Sequence, residues 1–231
     1  MQYIKNNLQA VRQELAAAAI PGKDCRMLAA VKYALPGEIE ALLDAGVTDV
    51  GENRVQQLLE NAPIYAARGT RVHFIGTLQT NKVKYIADKV DMIHSLDSKK
   101  LAAEIEKRAR ACDRVIDVLV EINVAREEAN TGVLPEDAEA LCRTVLSLPH
   151  LRLCGFMTMG PIFDSEDDYR AYFKETVTLG NALWRTLSLE GRPLYSMGMS
   201  QSFIPAVKEG ADFVRVGRRL FAGRPAPESE N

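Results

Sequence analysis

The stretch "MLAAVKYALPGEIEALLDAGVTDVGE", residues 27–52, decides the architecture. It opens on the apolar run "MLAAVK" (27–32), which reads as a strand. Through "PGEIEALLDAG" the period changes, and Ile39, Leu42 and Leu43 fall on one helical face. A second short run, "TDVGE" (48–52), then reads as another strand. Strand, helix and strand within so few residues make a βαβ unit, whose strands lie parallel.

The unit recurs along the chain. Further strand candidates are "VHFIG" (72–76), "DMIHS" (91–95), "VIDVLVEIN" (115–123), "LRLCGFMTM" (151–159), "PLYSMG" (193–198) and "DFVRVG" (212–217). Helical patterns fill the gaps, among them "SKKLAAEIEKRARAC", "PEDAEALCRTVLSL" and "EDDYRAYFKETVTLGNALWRTL". Ser98, and Asp164 or Ser165, stand where helix N-caps belong. A further helix precedes the first strand, with Ile4, Leu8, Val11 and Leu15 at helical spacing before Pro21-Gly22. Several strands are apolar on both parities, as in a parallel sheet covered on each side. The expected fold is α/β: a single (β/α)8 TIM barrel with an additional N-terminal helix, and a doubly wound open sheet as the alternative. One domain over residues 1–223 is expected, followed by a flexible tail, 224–231.

Composition narrows the function classes. The 231 residues are 47% hydrophobic and 26% charged, ample for a globular core. A net charge of −2 argues against nucleic acid as a main partner. No apolar run approaches the ~18 residues of a membrane span, and "MQYIKNNLQAVRQEL" lacks a signal-peptide core. The cysteines, Cys25, Cys112, Cys142 and Cys154, show no CxxC spacing, and His73, His94 and His150 are scattered, so no metal-ligand set is expected. Reduced thiols in a cytoplasmic protein fit this usage.

Barrel chemistry sits at the C-terminal ends of the strands. Those ends read Lys32, Glu52-Asn53-Arg54, His73 with Gly76, His94-Ser95, Asn123, Met157-Thr158, Ser196 to Ser200, and Arg215-Val216-Gly217-Arg218. Lys32 either snorkels to solvent or pairs with a carboxylate such as Glu52, or it is a desolvated amine able to attack an aldehyde. Gly217, between a strand and an expected short helix, offers backbone N–H groups to a phosphate, with the Ser200 hydroxyl and Gly198 nearby. A phosphorylated aldehyde has both handles, and pyridoxal phosphate (PLP) is such a cofactor. Arg215 either pairs with a carboxylate or faces the pyridine nitrogen, which a guanidinium keeps unprotonated. Asn53 suits a ring hydroxyl or a helix N-cap, and Met157 and His73 suit the walls.

With "AAVK", "VGENRVQQ", "HFIGTLQTNK", "IHSLDS", "VLVEIN", "CGFMTMGP", "SMGMS" and "FVRVG" in this order, the chain resembles, over about residues 1–223, the pyridoxal phosphate homeostasis proteins. These are stand-alone fold-type III barrels related to the N-terminal domain of alanine racemase. The resemblance implies a Schiff base on Lys32, a ring contact from Asn53 and a pyridine-nitrogen contact from Arg215. It also implies phosphate contacts from Ser200, Gly217 and Arg218. It implies a cytoplasmic monomer that binds PLP and influences its supply to PLP-dependent apoenzymes, without established turnover. A PLP-dependent amino-acid racemase is the alternative, with Tyr33 or Tyr195 as second acid–base group, although the chain is expected to lack the racemase's second domain. A cofactor-free lysine aldolase is disfavoured. Three positions depart from the family's pattern: Asn130 in the loop 124–134, Ser202 after "SMGMS", and Arg218 where a hydroxyl residue is frequent.

Overall fold

The computed structural model describes residues 1–225. All eight strands read from the sequence are present, some shortened by one to three residues. They are β1 (Arg26–Ala30), β2 (Asp49–Glu52), β3 (Arg71–Phe74), β4 (Met92–Leu96), β5 (Ile116–Glu121), β6 (Leu151–Met157), β7 (Leu194–Met199) and β8 (Phe213–Val216). Each pairs in parallel with its sequence neighbour, and β8 pairs with β1 through Leu28↔Arg215 and Ala29↔Val216. That last pairing closes the ring and removes the open-sheet alternative. A closed ring leaves no unpaired strand edge.

Strand parity sorts the side chains into two cores. Outward residues such as Ala29, Val50, Phe74, Val118, Phe156 and Val214 pack under the helices in one large apolar cluster. Inward residues Leu28, Ile75, Met92, Leu119, Met157 and Phe213 form a second cluster along the barrel axis. The outer layer comprises α1 (Gln2–Ala18), α2 (Pro36–Asp44), α3 (Val55–Arg68), α4 (Lys99–Ala111), α5 (Pro135–Leu146), α6 (Glu166–Thr186) and α7 (Phe203–Lys208). A 3₁₀ segment, Thr80–Tyr85, stands in for the helix between β3 and β4. Ser98 caps α4 by accepting from Leu101 N at 3.3 Å, and Ser165, not Asp164, caps α6 by accepting from Asp168 N at 3.1 Å.

The short helix expected after Gly217 is a run of turns instead. Leu220 N donates to Gly217 O at 2.8 Å, and Gly223 at φ +72° turns the chain before a helix can propagate. The N-terminal helix occupies the place this leaves. α1 lies against α2 and α7, buries Ile4, Leu8 and Val11, and is tied to the segment after β8. Asn7 Nδ2 donates to Leu220 O (3.1 Å) and Ala222 O (2.8 Å), and Glu14 accepts from Arg219. Burying three such side chains stabilises the closure by about 1.5–3 kcal/mol each. Of the expected tail, residues 226–231 lie outside the described residues, whereas Arg224 is held by Glu38 (2.6 Å) and by Tyr33 O (2.8 Å).

Candidate functional site

A pocket of about 500 Å³ opens at the C-terminal ends of the strands, a size suited to a small organic ligand. Lys32, Asn53, Met157, Ser200, Arg215, Gly217 and Arg218 all line it. They come from β1, β2, β6, β7 and β8 or the turns that follow, so only closure of the ring brings them together.

Lys32 lies two residues beyond β1. Val31 N donates to Gly51 O (3.1 Å), Gln57 Nε2 donates to Val31 O (2.8 Å), and Ala34 N turns back to Val31 O (2.8 Å). These bonds fix the turn that carries the lysine over the mouth. Lys32 is half-buried, and its Nζ is 5.1 Å from the Tyr33 ring centroid. Among the described residues it makes no ion pair or hydrogen bond. The pairing with Glu52 does not occur, because Glu52 has outward parity. Its carboxyl accepts from Tyr65 Oη (2.6 Å) and Asn61 Nδ2 (2.9 Å) of α3, and burial raises its pKa.

Asn53 is not the N-cap of α3; that position is Arg54. Its side-chain amide has no hydrogen bond among the described residues and is available to a ligand. Gly76 lets the turn after β3 pass close to it: a Cβ there would lie 2.3 Å from Asn53 O. On the opposite rim Gly217 N donates to Ser200 Oγ at 3.3 Å. A Cβ on Gly217 would lie 2.8 Å from Ala30 O, so only glycine leaves β8 and β1 at this spacing. Arg218 is exposed at the mouth with no ion pair among the described residues. The neighbouring Arg219 turns away to Glu14.

Arg215 sits on the pocket floor, 5% exposed. It has no carboxylate partner. Nη1 donates to Ser196 O (2.9 Å) and Ser196 Oγ (2.8 Å), and Nη2 donates to Thr158 O (2.9 Å). Burial pulls its pKa down to about 10, against the opposing pull of Glu121 and Tyr172, so it is cationic at neutral pH.

Glu121, at the end of β5, is the residue the sequence reading missed. It lines the pocket, is 1% exposed, and accepts from Thr131 Oγ1 at 2.6 Å, while Oε2 has no partner. Burial raises its pKa, which favours the neutral acid. The signal was its inward parity with Leu119. Asn123, taken as the strand end, instead braces the loop 124–134: Nδ2 donates to Glu127 O (2.7 Å) and Oδ1 accepts from Glu127 N (3.1 Å). The lining thus sets Lys32, Arg54, Arg215 and Arg218 against the single carboxyl of Glu121, an environment for an anion.

Other expectations need correction. His73 is no pocket wall; it lies inside the barrel against His94, so the two histidines are neighbours rather than scattered. Tyr195 faces away, donating to Val177 O (3.0 Å) and Asn181 Oδ1 (2.9 Å) of α6. Gly198, at φ +88°, makes room for Ala206 of α7, whose Cβ would be 2.5 Å from a new one. Ser202 accepts from Met199 N (3.1 Å), and Asn130 donates to Glu127 Oε2 (2.6 Å). Among the described residues no His/Cys/Asp/Glu group could hold a metal ion, all four cysteines are free, and no helix is long and apolar enough to cross a membrane.

The family model "Alanine racemase, N-terminal domain" matches residues 1–225. A pyridoxal phosphate homeostasis protein of Aquifex aeolicus is 42% identical over 213 residues, covering 92% of this chain and 93% of its own. One from Schizosaccharomyces pombe is 32% identical, covering 97% and 94%. Among solved structures, PipY of Synechococcus elongatus PCC7942, with PLP bound, superposes with a TM-score of 0.83 at 27% identity, covering 94% of this chain and 99% of PipY. Alanine racemase from Corynebacterium glutamicum shares the fold at 16% identity, with a TM-score of 0.70 over 63% of its length. By barrel and by sequence over nearly its whole length, the chain belongs to the pyridoxal phosphate homeostasis proteins of the alanine racemase N-terminal-domain family.

Proposed function

We propose that this protein binds pyridoxal 5'-phosphate at the barrel mouth, holding it as a Schiff base on Lys32, and serves vitamin B6 homeostasis as a carrier without catalytic turnover. The observation that carries this reading is the pairing, in one pocket, of an unpartnered lysine with a Gly217–Ser200 cradle across the mouth. The residues fit the cofactor. The Asn53 amide is free for the ring hydroxyl, Met157 supplies an apolar wall, and Arg215 lies where a ring nitrogen would meet only a donor. Gly217 N–H, Ser200 Oγ and the Arg218 guanidinium hold the phosphate.

When bound, the cofactor supplies an electrophilic aldehyde and an electron-withdrawing ring. The chain limits what that ring can do. Arg215 cannot accept a proton and gives none up at neutral pH, so it leaves the ring nitrogen unprotonated and the ring a weak electron sink. Such a site suits storage and release better than carbanion chemistry. The reading is of a cytoplasmic monomer, one domain over 1–223, that passes PLP to PLP-dependent apoenzymes. The exposed Tyr33 and Met199 at its rim give such a partner apolar contact.

A second reading, an amino-acid racemase, has one observation in its favour. Racemisation needs acid–base groups on opposed sides of the substrate carbon. Glu121 on β5 stands half-way round the ring from Lys32, whereas Tyr33 shares the lysine's side and Tyr195 faces α6. Incubation of the PLP-loaded protein with single L-amino acids separates the readings. The carrier leaves chirality unchanged over many equivalents; sustained appearance of the D-enantiomer overturns it.

A further inference from the structure

The barrel axis of this protein is not wholly apolar. Between Leu28, Met92, Leu119 and Phe213 runs a chain of buried polar side chains. Asp49 Oδ1 lies 3.2 Å from His73 Nε2, and His73 Nδ1 lies 2.9 Å from His94 Nε2. His94 Nδ1 lies 2.8 Å from Ser196 Oγ, and Ser196 Oγ lies 2.8 Å from Arg215 Nη1. The chain therefore links the N-terminal end of β2 with the floor of the ligand pocket. Phe213 packs against both imidazoles, with ring centroids 5.4 and 5.3 Å away, and the Arg26 guanidinium covers Phe213 at 4.4 Å.

Its two ends dictate its direction. A guanidinium has only donors, and an ionised carboxylate has only acceptors. Arg215 must donate to Ser196 Oγ, so the Ser196 hydroxyl donates onward to His94 Nδ1. His94 then carries its proton on Nε2 and donates to His73 Nδ1, and His73 donates through Nε2 to Asp49. Reversal would point the Ser196 proton at Arg215, which cannot accept it, and Ser196 Oγ has no other partner among the described residues. Asp49 is anchored as the terminal acceptor by Thr48 Oγ1 (2.6 Å) and Arg71 Nη2 (2.8 Å). Arg215 has no carboxylate within hydrogen-bond distance among the described residues, Glu121 acting on it only through space, so this aligned chain is what joins the buried cation to the Asp49 carboxylate.

We propose that Asp49, His73, His94 and Ser196 form a one-way hydrogen-bond relay that holds the Arg215 guanidinium in place for the ligand, making His94 and Ser196 positioning residues of the PLP site. The proposal rests on the reading of Arg215 as a contact of the cofactor ring. The relay explains a cost that packing alone would not incur: two imidazoles and a carboxylate kept among the apolar axial residues Leu28, Met92, Leu119 and Phe213. Fully satisfied, such a network has one arrangement, and it transmits that arrangement to Arg215.

The test has an arm without cofactor and an arm with it. In the apoprotein, side-chain 15N NMR is expected to show both His73 and His94 as Nε2–H tautomers, and slowly exchanging Arg215 Nη protons that broaden in Ser196→Ala. An Nδ1–H tautomer at either histidine, or an Arg215 signal indifferent to Ser196→Ala, overturns the relay. With PLP, Ser196→Ala and His94→Leu are expected to weaken binding roughly fivefold, the effect of losing one internal hydrogen bond, and to shift the visible absorption band. His94→Gln, with an acceptor and a donor on one amide, restores both towards wild type. Lowered melting temperatures with unchanged band and affinity overturn the positioning role and leave a merely structural network. If wild-type protein takes up no PLP, the functional reading fails, and the apoprotein spectra still decide the relay.

Discussion

Gly217→Ala is the perturbation whose consequence the structure defines most closely. The new Cβ would stand 2.8 Å from Ala30 O and 3.3 Å from Ala30 Cβ, the former roughly half an ångström inside ordinary contact. The opposing atom is backbone of β1, paired to β8 through Ala29↔Val216, so no side-chain rotation relieves the clash. The end of β8 has to move outward. Overpacking of this kind costs about 1–3 kcal/mol, which for a protein of this size lowers the melting temperature by about 2–4 °C per kcal/mol. The same shift displaces Gly217 N–H from its place beside Ser200 and moves Arg218 with it, weakening PLP binding by roughly two- to tenfold if half the cost falls on the bound state. Absorbance titration of the apoprotein with PLP, alongside thermal unfolding, measures both effects. Gly69→Ala is the control. Its φ of +58° makes it strained too, but nothing lies within 4 Å of the new carbon and it ends α3 far from the mouth. Gly217→Ala binding PLP within twofold of wild type, or behaving like Gly69→Ala, would refute the reasoning.

Three further outcomes follow from other parts of the molecule. Arg218→Ala is expected to weaken PLP binding several-fold, with the loss shrinking as salt rises. Arg219→Ala, which removes the surface pair with Glu14 and the guanidinium 5.2 Å from the Phe203 ring centroid, should leave binding unchanged and cost about 1–2 kcal/mol of stability; titrations at two ionic strengths check both. His94 has a pKa well below the ordinary imidazole value because of burial, reinforced by His73, Arg215 and Arg26. The unfolded chain therefore binds a proton that the folded chain refuses, and stability should fall as pH drops below about 6.5; denaturant unfolding of His94→Gln should show a shallower slope there. Glu121 has the opposite sign: burial raises its pKa, so its contribution is fully present below the unfolded value of about 4.3 and is lost as pH rises. Glu121→Gln should gain stability relative to wild type at high pH, read from melting temperatures across a pH series.

The barrel was legible because its strands are short apolar runs separated by helices of plain periodicity, and the ends of those strands named the pocket. What the sequence concealed was parity and pairing. Glu52, one residue from Asn53, faces α3 because alternate residues of a strand face opposite sides. His73 and His94 are far apart in sequence, and only the register of β3 on β4 puts them in contact. Glu121 escaped notice because β5 stops two residues short of Asn123, so the wrong polar residue was taken as its end. The helix expected after Gly217 was lost to Gly223, and its place fell to α1, a substitution no local pattern discloses.

The claim on which the functional account stands is that the Lys32 amine captures the aldehyde of PLP. Borohydride treatment of the PLP-loaded protein, followed by peptide mass spectrometry, tests it directly. The reduced pyridoxyl phosphate mass is expected on the peptide carrying Lys32, with no such adduct in Lys32→Ala under the same conditions. An adduct confined to other lysines, or a Lys32→Ala protein that keeps the colour through extensive dialysis, would contradict it.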